Sequence, residues 1–137
     1  MLIAGARAFQ YLRERAATEK AAGGELSAGL SQLGACFAFR TSLQYADPGE
    51  PKFAEAVSSM EAAFPTGVAL LRIPLRSIEA PFEQMSPPGY YLEIDSRPRP
   101  TLVMAGGGDT FREDLFYFAG FPGWKRDYDV LMVDLLG

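Results

Sequence analysis

Apolar residues return every three or four positions from Ala6 to about Phe64, as in Phe9-Leu12-Ala16 and Leu30-Leu33-Phe37. That is the period of helices that bury one face. Gly23-Gly24 interrupts the first run, and Asp47-Pro48-Gly49-Glu50-Pro51 places proline to end one helix and open the next. The pattern predicts three helices, over about residues 4–22, 25–44 and 51–64. Pro65-Thr66-Gly67 then marks a change of period. Residues 70–75 and 77–83 read as extended, and Pro87-Pro88-Gly89 turns into Tyr90-Tyr91-Leu92-Glu93-Ile94-Asp95. The second and third of these segments predict an antiparallel hairpin.

After a proline-rich connector (residues 96–100), Thr101-Leu102-Val103-Met104-Ala105 is a short, continuous apolar run. It ends in Gly106-Gly107-Gly108-Asp109-Thr110 and leads into the helical Phe111-Arg112-Glu113-Asp114-Leu115-Phe116-Tyr117-Phe118. Thr110 and Glu113 have capping-box spacing. A second apolar run, Val130-Leu131-Met132-Val133, ends in Asp134-Leu135-Leu136-Gly137. Continuously apolar strands suit a parallel sheet covered on both faces, so this is a strand, glycine loop, helix, strand unit with a right-handed crossover. The expected fold class is α/β: about three helices over residues 1–67, then a hairpin and a β-α-β unit over residues 68–137. One crossover helix covers only one face of such a sheet. The amino-terminal helices or residues beyond Gly137 must cover the other, and the expectation is a domain that continues.

Composition changes this picture in one respect. The chain has 137 residues, a net charge of −4 and no histidine. Histidine is the commonest general base and a member of serine and cysteine triads, so this chain alone does not run Ser-His-Asp or Cys-His chemistry. The acidic balance, with scattered basic residues, argues against nucleic acid as a partner. The single cysteine, Cys36, excludes an internal disulfide and a multi-cysteine metal site, and its apolar setting predicts a buried structural thiol. No apolar run has the length of a membrane span, and the amino terminus lacks the pattern of a secretory signal, so a cytoplasmic protein with no membrane partner is expected.

From Thr101 to Gly137 the pattern resembles a branch of the α/β-hydrolase superfamily: helical-cap hydrolases similar to fermentation-respiration-switch-type esterases, acylaminoacyl- and dipeptidyl-peptidase-like proteins and pseudooxynicotine-type carbon–carbon hydrolases. In those proteins an apolar strand runs into Gly-Gly-x-Asp/Glu-Ser/Thr, followed by a helix with acidic residues in its first turn and a strand ending in Asp-x-Pro-Gly-x-Gly. This chain offers Gly106-Gly107-Gly108-Asp109-Thr110, then Glu113 and Asp114, then Asp134-Leu135-Leu136-Gly137, with Leu136 where proline is usual. Upstream, Leu71-Arg72-Ile73-Pro74-Leu75 and Pro88-Gly89-Tyr90-Tyr91-Leu92 are similar to that branch's lead-in. The resemblance spans nearly all of this chain and the first half of a family member.

The resemblance implies a backbone oxyanion donor at Gly107 or Gly108, with Gly106, Asp109, Thr110 and Glu113 supporting the loop and its helix. An oxyanion donor must present its N–H with no side chain in the way, which a glycine loop at a helix start does. The other reading is that three glycines only make a tight turn. A dinucleotide fingerprint would need glycine where Phe111 stands, and a P-loop would need Gly-Lys-Ser/Thr, so no nucleotide or other cofactor is implied. No nucleophile elbow is present: Ser27 has Glu25 on one side, and Ser31 has Leu33 on the other. Asp134 reads as a structural residue at a strand end. Phe116, Tyr117, Phe118, Phe121 and Trp124 read as core packing of the crossover helix, while Phe37, Phe39 and Tyr45 have better access to a pocket if the helices form a cap.

The function these readings imply is the amino-terminal part of a serine hydrolase acting on a small-molecule ester, amide or carbon–carbon bond. It would give the cap and part of the oxyanion hole, and be inactive alone. The alternative is a noncatalytic relative that binds a small molecule or a protein. The expected partners are the carboxy-terminal portion of the hydrolase or a second copy, met through an uncovered sheet edge.

Overall fold

The computed structural model describes residues 2–135. Leu136, where the hydrolase-like pattern departs from proline, and Gly137 lie outside the described residues. The chain divides into two compact units, one reaching to Ile73 and the other beginning at Pro74.

The first unit is three helices, α1 (Leu2–Ala21), α2 (Glu25–Leu43) and α3 (Pro51–Leu70), with α2 packed against both of the others. Their apolar stripes form the core: Phe9 and Ala16 from α1, Leu33, Cys36 and Phe39 from α2, Met60 and Phe64 from α3. The Phe9 and Phe39 rings meet at 4.2 Å between centroids. Helices α2 and α3 cross at Gly29 and Gly67. A Cβ at Gly67 would lie 2.9 Å from the Leu33 side chain and 3.1 Å from the Gly29 carbonyl oxygen. The two backbones therefore touch, and only glycine fits on either side. Between α1 and α2, the Ser31 hydroxyl donates to Glu19 at 2.7 Å, and Arg15 pairs with the same carboxylate.

The predicted end of the third helix at residue 64 is corrected. Helix α3 runs through Pro65 to Leu70. Proline removes one hydrogen bond and crowds the preceding turn. Phe64 and Val68, both fully buried, together with the Gly67 crossing hold the helix together across that defect. Of residues 70–75, read as extended, only Leu75 enters a strand. The helix ends in a Schellman motif: Arg72 N–H donates to the Ala69 carbonyl at 2.9 Å and Ile73 N–H to that of Val68 at 3.3 Å. This geometry puts Arg72 at φ 57°, a left-handed conformation that suits glycine. Arg72→Gly is expected to stabilise the helical unit by about 0.5–1 kcal/mol. A urea midpoint followed by far-ultraviolet circular dichroism should rise, and a fall would mean that Arg72 is held by more than the turn.

The second unit is a four-stranded mixed sheet in the order β1-β2-β4-β3. β1 (Leu75–Glu79) and β2 (Pro88–Leu92) form the expected antiparallel hairpin, β2 also pairs antiparallel with β4 (Asp129–Val133), and β3 (Thr101–Ala105) pairs parallel with β4. The connection from β3 to β4 carries a helix in three contiguous pieces: α4 (Arg112–Leu115), a π-helical turn (Phe116–Gly120) and α5 (Phe121–Trp124). The register aligns Leu92, Val130 and Leu102 in one cross-strand row and Tyr90, Met132 and Met104 in the next. This face is the one the helix covers, with Gly120 against Met132 and Gly123 against Leu102 and Val130. On the opposite face lies the row Tyr91, Leu131 and Val103, and Val103 is 64% exposed. Within this unit one helix covers one face, as the sequence implied, and β3 is an edge strand.

Candidate functional site

The loop that leaves β3 is residues 106–111, and its glycines are not equivalent. A Cβ at Gly106 would lie 2.7 Å from the Thr110 Cβ and 2.9 Å from the Thr110 carbonyl oxygen. Gly106 is therefore required by the turn itself, which closes with Thr110 N–H donating to the Gly107 carbonyl at 3.1 Å. A Cβ at Gly107 or at Gly108 would meet nothing within 4 Å, and neither residue has a positive φ. Both are exposed, and their N–H groups donate to no acceptor among the described residues. The tight-turn reading thus accounts for Gly106 and leaves Gly107 and Gly108 without a local reason. Asp109 is exposed at the tip.

The predicted capping box of Thr110 and Glu113 is corrected by one residue. Helix α4 has Phe111 at its N-cap, and the Asp114 carboxylate accepts the Phe111 N–H at 3.0 Å. A second carboxylate reaches the same turn from β4: Asp134 accepts the Arg112 N–H at 2.7 Å and also holds the Arg112 guanidinium. The strand-end role expected of Asp134 thus has a concrete form, in which it ties the end of β4 to the first turn of α4.

Glu113 turns inward instead of capping. It is 0% exposed, and the Tyr90 hydroxyl donates to its Oε1 at 2.8 Å. Arg112 Nε lies 3.5 Å from the same oxygen, and the guanidinium carbon sits 4.9 Å from the centre of the Tyr90 ring. Oε2 has no hydrogen-bond partner among the described residues. Burial raises the Glu113 carboxyl above the ordinary range, although Arg112 and the Tyr90 hydrogen bond oppose the shift. Burial and the neighbouring Glu113 charge push the Tyr90 phenol up as well. Burial opposes the charge on Arg112, but Glu113, Tyr90 and Asp134 outweigh it and keep that cation firmly protonated.

The structure therefore brings Gly106, Gly107, Gly108 and Thr110 together in one loop and places Glu113 beneath the helix start in a buried network. Sequence reasoning missed Tyr90 and Arg112 as members of that network. The available signal was the spacing of Glu113, Phe116 and Gly120: a carboxylate on the buried stripe of a helix needs a buried donor.

The aromatic segment is partly corrected. Phe116 is buried and stacks toward Phe121 and Trp124 at 5.7 and 5.8 Å between successive centroids, as core packing requires. Tyr117 and Phe118 instead face outward, Phe118 at 73% exposure, because the π-helical turn rotates them off the sheet. In the helical unit Phe39 is buried and Tyr45 is exposed, and Cys36 is fully buried. Ser27 is exposed on α2, and Ser31 is committed to Glu19. No described helix is long and apolar enough to cross a membrane.

No protein-family model matches the sequence, and no curated protein matches it. Among solved structures, the chain is similar to 2,6-dihydroxy-pseudo-oxynicotine hydrolase, with a TM-score of 0.76 at 18% identity over 93% of this chain and 36% of that one. It is also similar to AbyA5 in two structures, with TM-scores of 0.54 and 0.55 at 17% and 18% identity. These alignments take in 93% and 94% of this chain and 35% and 34% of AbyA5. The chain thus spans about a third of the length of these structures' chains, and its fold is α/β-hydrolase-like.

Proposed function

We propose that these residues are the amino-terminal part of a helical-cap serine α/β hydrolase, in the branch of the fermentation-respiration-switch-type esterases, acylaminoacyl-peptidase-like proteins and pseudooxynicotine-type hydrolases. The reaction is hydrolysis of an ester, amide or activated carbon–carbon bond through an acyl-enzyme. The helical unit serves as cap, and Gly107 or Gly108 supplies one oxyanion donor. The observation that carries this reading is the pair of exposed glycines whose amides are uncommitted and whose missing side chains the local fold does not require. They sit in the loop between the third strand and the helix after it, the position that supplies an oxyanion N–H in α/β hydrolases. When the serine attacks, negative charge gathers on the carbonyl oxygen, and a fixed amide aimed there stabilises it with no side chain to intrude. The serine, acid and histidine come from other sequence, so the chain alone is inactive.

The test has two parts. The coding sequence after codon 137 should contain Gly-x-Ser-x-Gly, then an acid, then a histidine. Joined to the polypeptide so encoded, this chain should hydrolyse 4-nitrophenyl acetate, and Gly107→Pro or Gly108→Pro should lower kcat by about 10²–10³ at whichever position donates, since proline has no N–H. Turnover by the 137 residues alone, or full activity in both proline variants, would sink the reading. The terminal position of β3 in the sheet favours a second one, a noncatalytic module that pairs through β3 with another chain. Dimers in sedimentation velocity, with no hydrolytic reading frame downstream, would select it.

A further inference from the structure

In the helical unit, an open groove of about 450 Å³ runs between α1 and α3, floored by Phe39 and Ala56 and walled by Arg7, Gln10, Lys52 and Ser59. A second recess of about 410 Å³ shares Ser59 and extends the groove toward Thr66, over Phe9 and Ala63. Volumes of this size accommodate small organic ligands. From Lys52 to Thr66 the α3 side of the groove is about 20 Å long at the helical rise per residue.

Cations outside the groove are of both kinds. Lys20, Lys125 and Arg126 have no carboxylate partner among the described residues, whereas Arg15, Arg72, Arg76, Arg97, Arg99 and Arg112 are all ion-paired. Arg7, Arg13 and Lys52 have no carboxylate partner among the described residues, and all three line the groove. Arg13 lies over the Phe9 ring at 5.3 Å. The carboxylate among the lining residues is Glu55. A chain of net charge −4 thus gathers three uncompensated cations against one acid above an apolar floor.

We propose that this groove binds an amphiphilic monocarboxylate, with the acyl chain along Phe39, Ala56 and Ala63 and the carboxylate beside Arg7 and Lys52. The apolar floor selects the body of the ligand, and the unpaired cations select its charge. A compact polyanion would leave the floor unused, and a neutral lipid would leave the cations without a partner. The site stands on the helical unit alone and does not depend on the hydrolase reading.

Decanoate below its micellar concentration is the probe, titrated into the full chain and followed by ¹⁵N–¹H correlation spectra. Shifts are expected at Ala6, Ala56 and Ser59, with decanol binding several-fold more weakly and decyltrimethylammonium not binding. Arg7→Gln with Lys52→Gln, both at exposed positions, should weaken decanoate about five- to tenfold and leave decanol unchanged. Ser59→Trp should block both ligands. Equal affinity for the three probes, an unaltered decanoate isotherm in the double variant, or shifts confined to the strands would overturn the proposal. Unchanged thermal midpoints in the variants exclude loss of fold as the cause of weaker binding.

Discussion

Replacing Arg112 by alanine is expected to destabilise the sheet-containing unit by roughly 3–5 kcal/mol, the cost of leaving a buried carboxylate without its cation. Glu113 is wholly buried and would keep only the Tyr90 hydroxyl, while Asp134 would keep only the Arg112 backbone N–H. Trp124, the single tryptophan, lies in this unit and reports its unfolding in urea. Adding Glu113→Gln should recover much of the loss, because the group left behind is then neutral. A coupling below about 0.5 kcal/mol between the two substitutions would mean that they act independently and that the network is not a unit.

The same pair sets a pH dependence. Burial raises the Glu113 carboxyl, so between its ordinary and raised values the folded state holds a proton that the unfolded state has released. Stability from this group is complete below the ordinary glutamate value and is lost as pH climbs through the raised one. Glu113→Gln carries no titrating proton, and its stability profile should lack that decline. Identical slopes for the two proteins would place the titration elsewhere.

Phe64→Ala is expected to cost the helical unit about 3–5 kcal/mol, the usual range for emptying a fully buried aromatic site. The consequence reaches further than a cavity. Phe64 immediately precedes Pro65, and the helix crosses that proline because Phe64 and Val68 are buried and Gly67 sits against Gly29. With Phe64 gone, the turn after Pro65 should fray first. Hydrogen exchange should show residues 66–70 losing protection before residues 52–63, together with a lower circular-dichroism midpoint. Uniform loss along α3 would show that the proline is accommodated locally.

Much of the fold was legible because its signals are local. The 3.6-residue period at Phe9-Leu12-Ala16 marks a helix face within a few residues, whereas of Leu30-Leu33-Phe37 only Leu33 lies on the buried stripe, Leu30 being exposed. The apolar runs at residues 101–105 and 130–133 mark strands buried on at least one side. The loop was legible because glycines between such a strand and helix are rare without cause. What misled was also local: Pro65 reads as a stop when the crossing that overrides it, Gly67 on Gly29, joins residues far apart in sequence. Thr110 and Glu113 have the spacing of a capping box, yet Tyr90, 23 residues earlier, draws the carboxylate inward.

By itself the sequence determined the order of elements, the absence of histidine and hence of a complete triad, and the glycine loop between β3 and the helix that follows it. The tertiary structure decided which glycine the turn needs and which two are left open, which acid caps α4, and that Glu113 is buried against Tyr90 and Arg112. It also showed that three unpaired cations meet above one groove. The physical reason is the range of the forces concerned: periodicity and turn chemistry act between near neighbours in the chain, while burial, ion pairing and close backbone crossing depend on groups that only folding brings together.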